Sequence, residues 1–169
     1  MCRRSTTSPV GRVAEILADI AGVSVSTGWI TSACERMATA VAAANEAIRQ
    51  AIISAPVAHF DESVTRVAGK NHWLHVAATA TLTAYHIDEY GRAAESLTAL
   101  GILPRFGGVA VHDAYQAYAG FHGCLHALCN AHIVREATGI AEHDANAAAD
   151  GWAEDLVNLL GDGYRWVAA

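Results

Sequence analysis

The sequence predicts an α/β protein, a mixed sheet with helices, entered through an N-terminal helical segment. Three observations carry this reading. Residues 10–54 place apolar side chains at helical spacing. From Val57 the texture changes to β-branched and aromatic runs broken by turn residues. Beyond residue 90, amphipathic stretches surround one short apolar run that ends on an aspartate.

The first segment opens with Val13, Ile16, Leu17 and Ile20 on one helical stripe. Gly22-Val-Ser-Val-Ser-Thr-Gly28 interrupts it, and Ser26 or Thr27 is suited to cap the next helix. That helix, long and alanine-rich, is expected to run to about Ser54, stopped by Pro56. Helix, glycine turn, helix fits either an ordinary hairpin or a helix-turn-helix. The expected division is residues 1–54 as this helical segment and 55–169 as the core domain.

Val57–Val67, residues 73–79 and residues 82–87 read as a three-stranded meander, with a hairpin turn near Gly69. Residues 91–100 come next as an amphipathic helix carrying Ala94, Leu97 and Leu100, closed by Leu103-Pro104. Residues 108–112 form a short apolar run suited to a buried strand. Residues 125–141 and 146–160 read as helices, with Gly161-Asp-Gly163 closing the second. Strands, a helix, a further strand and then helices is an order compatible with a ribonuclease-H-like fold, which periodicity alone does not single out.

Composition bounds the function. Hydrophobic residues make up 53% and charged residues 17%, enough for a core and too apolar for wholesale disorder. Much of the excess is alanine, which favours helix and adds little core volume. The net charge of −6 argues against a free-standing nucleic-acid binder, because phosphate contacts need clustered Lys and Arg. Arg3, Arg4 and Arg12 are the one basic cluster. No apolar run reaches the length of a membrane span, and no signal-type leader precedes Cys2. A reducing cytoplasmic setting is the default, in which cysteines serve as ligands more readily than as disulfides.

Two carboxylates stand out. Asp61 sits in the first strand beside Glu62, and a strand's alternation lets only one of the two face a given site. Asp113 ends the later apolar strand, where ligands usually bind in open α/β sheets. Carboxylates brought together from two strands repel unless a cation sits between them, and Mg²⁺ prefers such oxygen ligands. An aspartate at a strand end also serves simply to cap a turn, and spacing does not decide between these.

Longer stretches add a resemblance. Pro56-Val-Ala-His-Phe-Asp-Glu-Ser-Val-Thr-Arg-Val-Ala-Gly-Lys-Asn-His-Trp-Leu-His-Val76 resembles the core signature of the insertion-sequence-66 family of DDE transposases. So do Gly107-Gly-Val-Ala-Val-His-Asp-Ala-Tyr-Gln-Ala-Tyr118 and His126-Ala-Leu-Cys-Asn-Ala-His-Ile-Val-Arg-Glu136. Upstream, Arg12-Val-Ala-Glu-Ile-Leu-Ala-Asp-Ile-Ala-Gly-Val-Ser-Val-Ser-Thr-Gly28 is similar to the segment before the family's catalytic core. The blocks stand in the family's order from about residue 11 to about residue 160.

The resemblance implies a ribonuclease-H-like core that cuts DNA at transposon ends and joins the freed 3′ end to a target. Asp61 takes the place of the first catalytic aspartate and Asp113 that of the second, holding Mg²⁺ or Mn²⁺. One ion would activate the attacking water or 3′-hydroxyl and the other would stabilise the leaving oxygen. The implied partners are transposon-end DNA and other copies, as a homo-oligomer or in association with full-length transposase; no membrane is implied.

The chain also departs from the family. The family's third carboxylate is a glutamate well downstream of the Cys/His block, beside an Asn-rich motif, and nothing here matches it. Glu136, Glu142, Glu154 and Asp155 lie C-terminal to Asp113 but read as solvated helix faces. The family's N-terminal zinc-binding, DNA-contacting region is not matched either. The expectation is therefore a core truncated at both ends, inactive or regulatory by itself, with uncovered apolar surface that promotes association. Ala114 and Ser63 stand where the family often has glycine and threonine. Finally, Cys124, His126, Cys129 and His132 give Cys-x-His-x₂-Cys-x₂-His. These are zinc-type ligands, though crowded for one ion, and buried cysteines with helix-facing histidines explain them equally.

Overall fold

The computed structural model describes residues 9–89, 91, 94–143 and 150–168. Cys2, Arg3, Arg4 and the start of the helix expected from residue 146 lie outside the described residues. The chain forms two compact units, Met1–Ala47 and Ile48–Ala169. In the first, α1 (Pro9–Ala21) packs against α2 (Thr27–Ala40). Ser26 caps α2, its Oγ accepting from the Trp29 amide at 3.1 Å, which satisfies one of the donors a helix start leaves open. The expected long helix is divided: Val41 leaves helical geometry, and α3 (Ala42–Ile53) begins beyond it. No glycine or proline marks that break, so composition could not show it.

Within the second unit, the end of α3 turns inward, with Ile52 fully buried and Ile48 and Ile53 packed against the core. The strands are β1 (Val57–Val67), β2 (Lys70–Ala78), β3 (Thr83–Asp88), β4 (Val109–His112) and β5 (Leu125–Leu128). Among the described residues they form one five-stranded sheet in the order β3-β2-β1-β4-β5. β1 pairs antiparallel with β2, and β2 with β3; β4 runs parallel to β1 and to β5. An antiparallel meander extended on one side by two parallel strands is the ribonuclease-H-like sheet. The β1–β2 hairpin turns on Ala68 and Gly69, both with positive φ (49° and 81°), which is the backbone of a type I′ turn.

One face of the sheet carries the core. Inward positions are mostly small (Ala58, Ala77, Ala84, Ala110), and bulk comes from the covering layer of Leu97, Leu100, Ile102, Leu103, Phe106 and Tyr118. Phe60 meets Phe106 edge to face at 5.6 Å. The covering layer comprises α4 (Ala94–Ala99) and two 3₁₀ turns, Leu103–Arg105 and Gln116–Gly120. The helix expected from residue 91 does not begin there, because Gly91 holds φ +116°, which no helix accommodates; residues 92 and 93 lie outside the described residues.

Two expectations near the C-terminus are corrected. Residues 125–128 are an edge strand, not the start of a helix, and α5 (Asn130–His143) begins after them. Leu-His-Ala-Leu has no strand alternation of its own; parallel pairing to β4 imposes the extended form. α6 (Trp152–Ala168) runs through Gly161 and Gly163 rather than closing there. Neither glycine takes the positive φ that a helix stop requires. α5 and α6 pack against each other and bury Ala137 and Ala153.

Candidate metal centre on the open sheet face

The alternation of β1 sorts its side chains. Ala58, Phe60 and Glu62 are buried against the core, whereas Val57, His59, Asp61 and Ser63 face the other way. Parallel pairing matches Val57 with Val109 and His59 with Val111. The pairing ends there: Asp61 lies two residues further along β1, and Asp113 is the first residue after β4. Asp61 is thus on the exposed side of β1, and Asp113, half-buried, follows the end of the adjacent parallel strand. Each is fastened to the backbone beside it. Asp61 Oδ1 accepts from the Glu62 amide at 2.9 Å, and Asp113 Oδ1 from the Tyr115 amide at 2.9 Å.

Much of this face is apolar and exposed. Tyr85 and Ile87 on β3 share it through β2, and Leu125 on β5 shares it through Val109; they are 62%, 53% and 70% exposed. A concavity of about 850 Å³ lies along β3 and α4, lined by residues such as His72, His86, Glu95 and Ser96.

Glu62 belongs to the opposite side. It is buried and accepts a hydrogen bond from Tyr118 Oη at 2.6 Å. Burial pushes the Tyr118 phenol above the ordinary tyrosine range; the bond to Glu62 and the charges of Glu62, Asp113 and Asp61 push the same way. The Tyr118 ring stacks on His112 at 4.2 Å, nearly parallel, and Tyr115 meets Tyr118 edge to face. Tyr115 and Tyr118 therefore pack beneath the sheet rather than line the aspartate face. His75 on β2 is also buried on the core side, its Nε2 3.3 Å from the Gly91 carbonyl.

The Cys/His positions divide into two groups. Cys124 Sγ lies 3.8 Å from His126 Nε2, and His126 Nδ1 lies 2.8 Å from His112 Nε2. Cys124 also donates to the Phe121 carbonyl, and burial raises its thiol pKa. Cys129 and His132 open α5, where the His132 amide bonds the Cys129 carbonyl at 3.0 Å. The Cys129 amide donates to the His112 carbonyl at 2.8 Å, and among the described residues no set of three or more His, Cys, Asp or Glu side chains is arranged to hold a metal ion. Glu136, Glu142, Glu154 and Asp155 are exposed on α5 and α6, and Arg135 is exposed on α5. Sequence reasoning missed the Glu62–Tyr118 and His112–His126 contacts, because each joins segments that only the sheet order brings together.

The family described as Transposase IS66 family matches residues 2–167. Among curated proteins none matches the chain. Two solved structures are similar at a TM-score of 0.35 over 60% of this chain. One is a chain of the simian T-cell lymphotropic virus intasome in complex with PP2A regulatory subunit B56 gamma, 14% identical. The other is the HTLV-2 integrase catalytic core domain in complex with magnesium, in its dimeric form, 12% identical. The match spans 46% of the intasome chain and 81% of the integrase core. Among the described residues no helix is long and apolar enough to cross a membrane.

Proposed function

We propose that this chain, which belongs to the IS66 transposase family, carries two of the three carboxylates of a DDE site in Asp61 and Asp113. That site binds Mg²⁺ or Mn²⁺ for cutting and joining transposon-end DNA. The observation that carries the reading is the parallel pairing of β1, which bears Asp61, with β4, which Asp113 directly follows. Two carboxylates at strand spacing repel each other, by about 4 kcal/mol at 4 Å near a protein surface. A divalent cation offsets this, and hard carboxylate oxygens are the donors such ions take. The donor set therefore fits the metal.

When bound, the metal supplies a polarised water or 3′-hydroxyl for attack and charge relief at the leaving oxygen. The protein's part is placement. The amides of Glu62 and Tyr115 each hold one aspartate oxygen, which limits rotation of the carboxylates. With a net charge of −6, the chain repels phosphate until the aspartate charge is neutralised, so DNA engagement depends on the metal. In this reading the chain by itself is a metal binder with an incomplete site and without strand-transfer activity.

The test is a Mn²⁺ titration followed by water-proton relaxation. Wild type binds, and Asp61→Asn and Asp113→Asn each abolish binding. Absence of binding by wild type refutes the metal reading. Metal-dependent cleavage of a transposon-end duplex, lost in both variants, refutes the inactivity. A regulatory reading draws on the exposed Tyr85, Ile87 and Leu125, which favour association with a second copy or an intact relative. Co-purification with such a relative supports it.

A further inference from the structure

The geometry points to Tyr118 as a positioning residue that ties the two aspartates together from beneath the sheet. This rests on the metal reading of Asp61 and Asp113 and deepens it. Four hydrogen bonds, joined through the covalent frames of Tyr115, Tyr118 and Glu62, link one carboxylate to the other. Asp113 Oδ1 accepts from the Tyr115 amide, and the Tyr115 carbonyl accepts from the Tyr118 amide at 3.2 Å. The Tyr118 phenol donates to Glu62 Oε2 at 2.6 Å, and the Glu62 amide donates to Asp61 Oδ1. One side-chain bond, Tyr118 to Glu62, closes this path between segments 56 residues apart.

That bond is built to be rigid. Tyr118 is 1% exposed and Glu62 8%, so water does not compete for either group. A 2.6 Å contact is in the range of a hydroxyl donating to a carboxylate, about twice as strong as a neutral bond. The ring cannot swing, because it is stacked on His112, the last residue of β4 and the neighbour of Asp113. Glu62 faces the core, so its carboxylate is a fixed acceptor under β1 and takes no place beside Asp61. Without the phenol, the side-chain bond between the Gln116–Gly120 turn and β1 is lost. The loop bearing Asp113 could then drift relative to Asp61, and a metal bound by both carboxylates reads that drift directly.

The experiment compares wild type, Tyr118→Phe, Glu62→Gln and Asp61→Asn by Mn²⁺ titration and by amide hydrogen exchange on the full chain. Tyr118→Phe keeps the ring and its stacking and removes only the hydroxyl. It is expected to weaken Mn²⁺ about tenfold, the low end for residues that orient metal ligands, and to speed exchange of the Tyr115 amide. Glu62→Gln keeps an oxygen acceptor and is expected to hold affinity within about threefold, well short of that loss. A Glu62→Gln loss as large as that of Asp61→Asn makes Glu62 a ligand and overturns the inference. So does a Tyr118→Phe variant with wild-type affinity or wild-type protection at Tyr115. If wild type binds no Mn²⁺, the metal reading falls alone; faster Tyr115 exchange in Tyr118→Phe then still supports the tie between the two segments.

Discussion

Gly108 is the point at which one methyl group should disturb both the fold and the aspartate pair. A Cβ built there lies 2.5 Å from the Pro56 carbonyl oxygen, 2.7 Å from the Ala55 carbonyl oxygen and 2.8 Å from Phe106 Cζ. Two of these three atoms are backbone and cannot rotate away. The Pro56 carbonyl also accepts from the Val109 amide at 2.9 Å, the first rung between β4 and the approach to β1. Relief requires moving β4 away from β1 by roughly 1 Å, the overpacking regime that costs about 1–3 kcal/mol. With backbone on two sides, Gly108→Ala should reach the upper half, about 2 kcal/mol or more. At a urea m-value of about 2 kcal/mol/M this lowers the unfolding midpoint by about 1 M. Gly107→Ala is the control, since its nearest neighbour is 4.0 Å away, and it should stay within about 0.5 kcal/mol. Urea titrations followed by far-UV circular dichroism measure both. Equal midpoints for the two variants would refute the steric reasoning. Because β4 carries Asp113, Gly108→Ala should weaken Mn²⁺ binding as well.

Further predictions concern the hairpin, the phenol and the open face. Ala68 holds φ 49° in the β1–β2 turn, a conformation that costs an alanine about 1 kcal/mol; Ala68→Asn, giving the Asn-Gly pair such turns prefer, should raise the urea midpoint. Tyr118 has a raised folded-state pKa, so the native state keeps that proton while an unfolded tyrosine loses it near pH 10. The resulting stability is fully present below about pH 10 and is lost as pH rises further. Tyr118→Phe should flatten this alkaline decline in thermal melts, and an unchanged slope counts against the assignment. Light scattering should find wild type as dimers or larger, with Leu125→Lys and Tyr85→Lys shifting it toward monomer; a monodisperse wild-type monomer contradicts the role given to the open face.

Local pattern was enough for much of this protein. The alternation of Val57–Val67, the turn at Gly69, the Ser26 cap and the apolar run before Asp113 are short-range signals, and the structure shows each. The ordered motifs pointed to the transposase family, and alternation foretold that Asp61 and Glu62 face opposite ways. Long-range pairing decided the rest. β5 is a strand because β4 offers it hydrogen bonds, and its own four residues carry no period of two. The strand bearing Asp61 lies beside the one that Asp113 follows because parallel register matches His59 with Val111, and register is a property of two strands that neither encodes alone. Tyr118 meets Glu62 across 56 residues for the same reason. Sequence determined which segments form strands, while the sheet decided which of them lie side by side, because periodicity acts along one segment and pairing acts between segments.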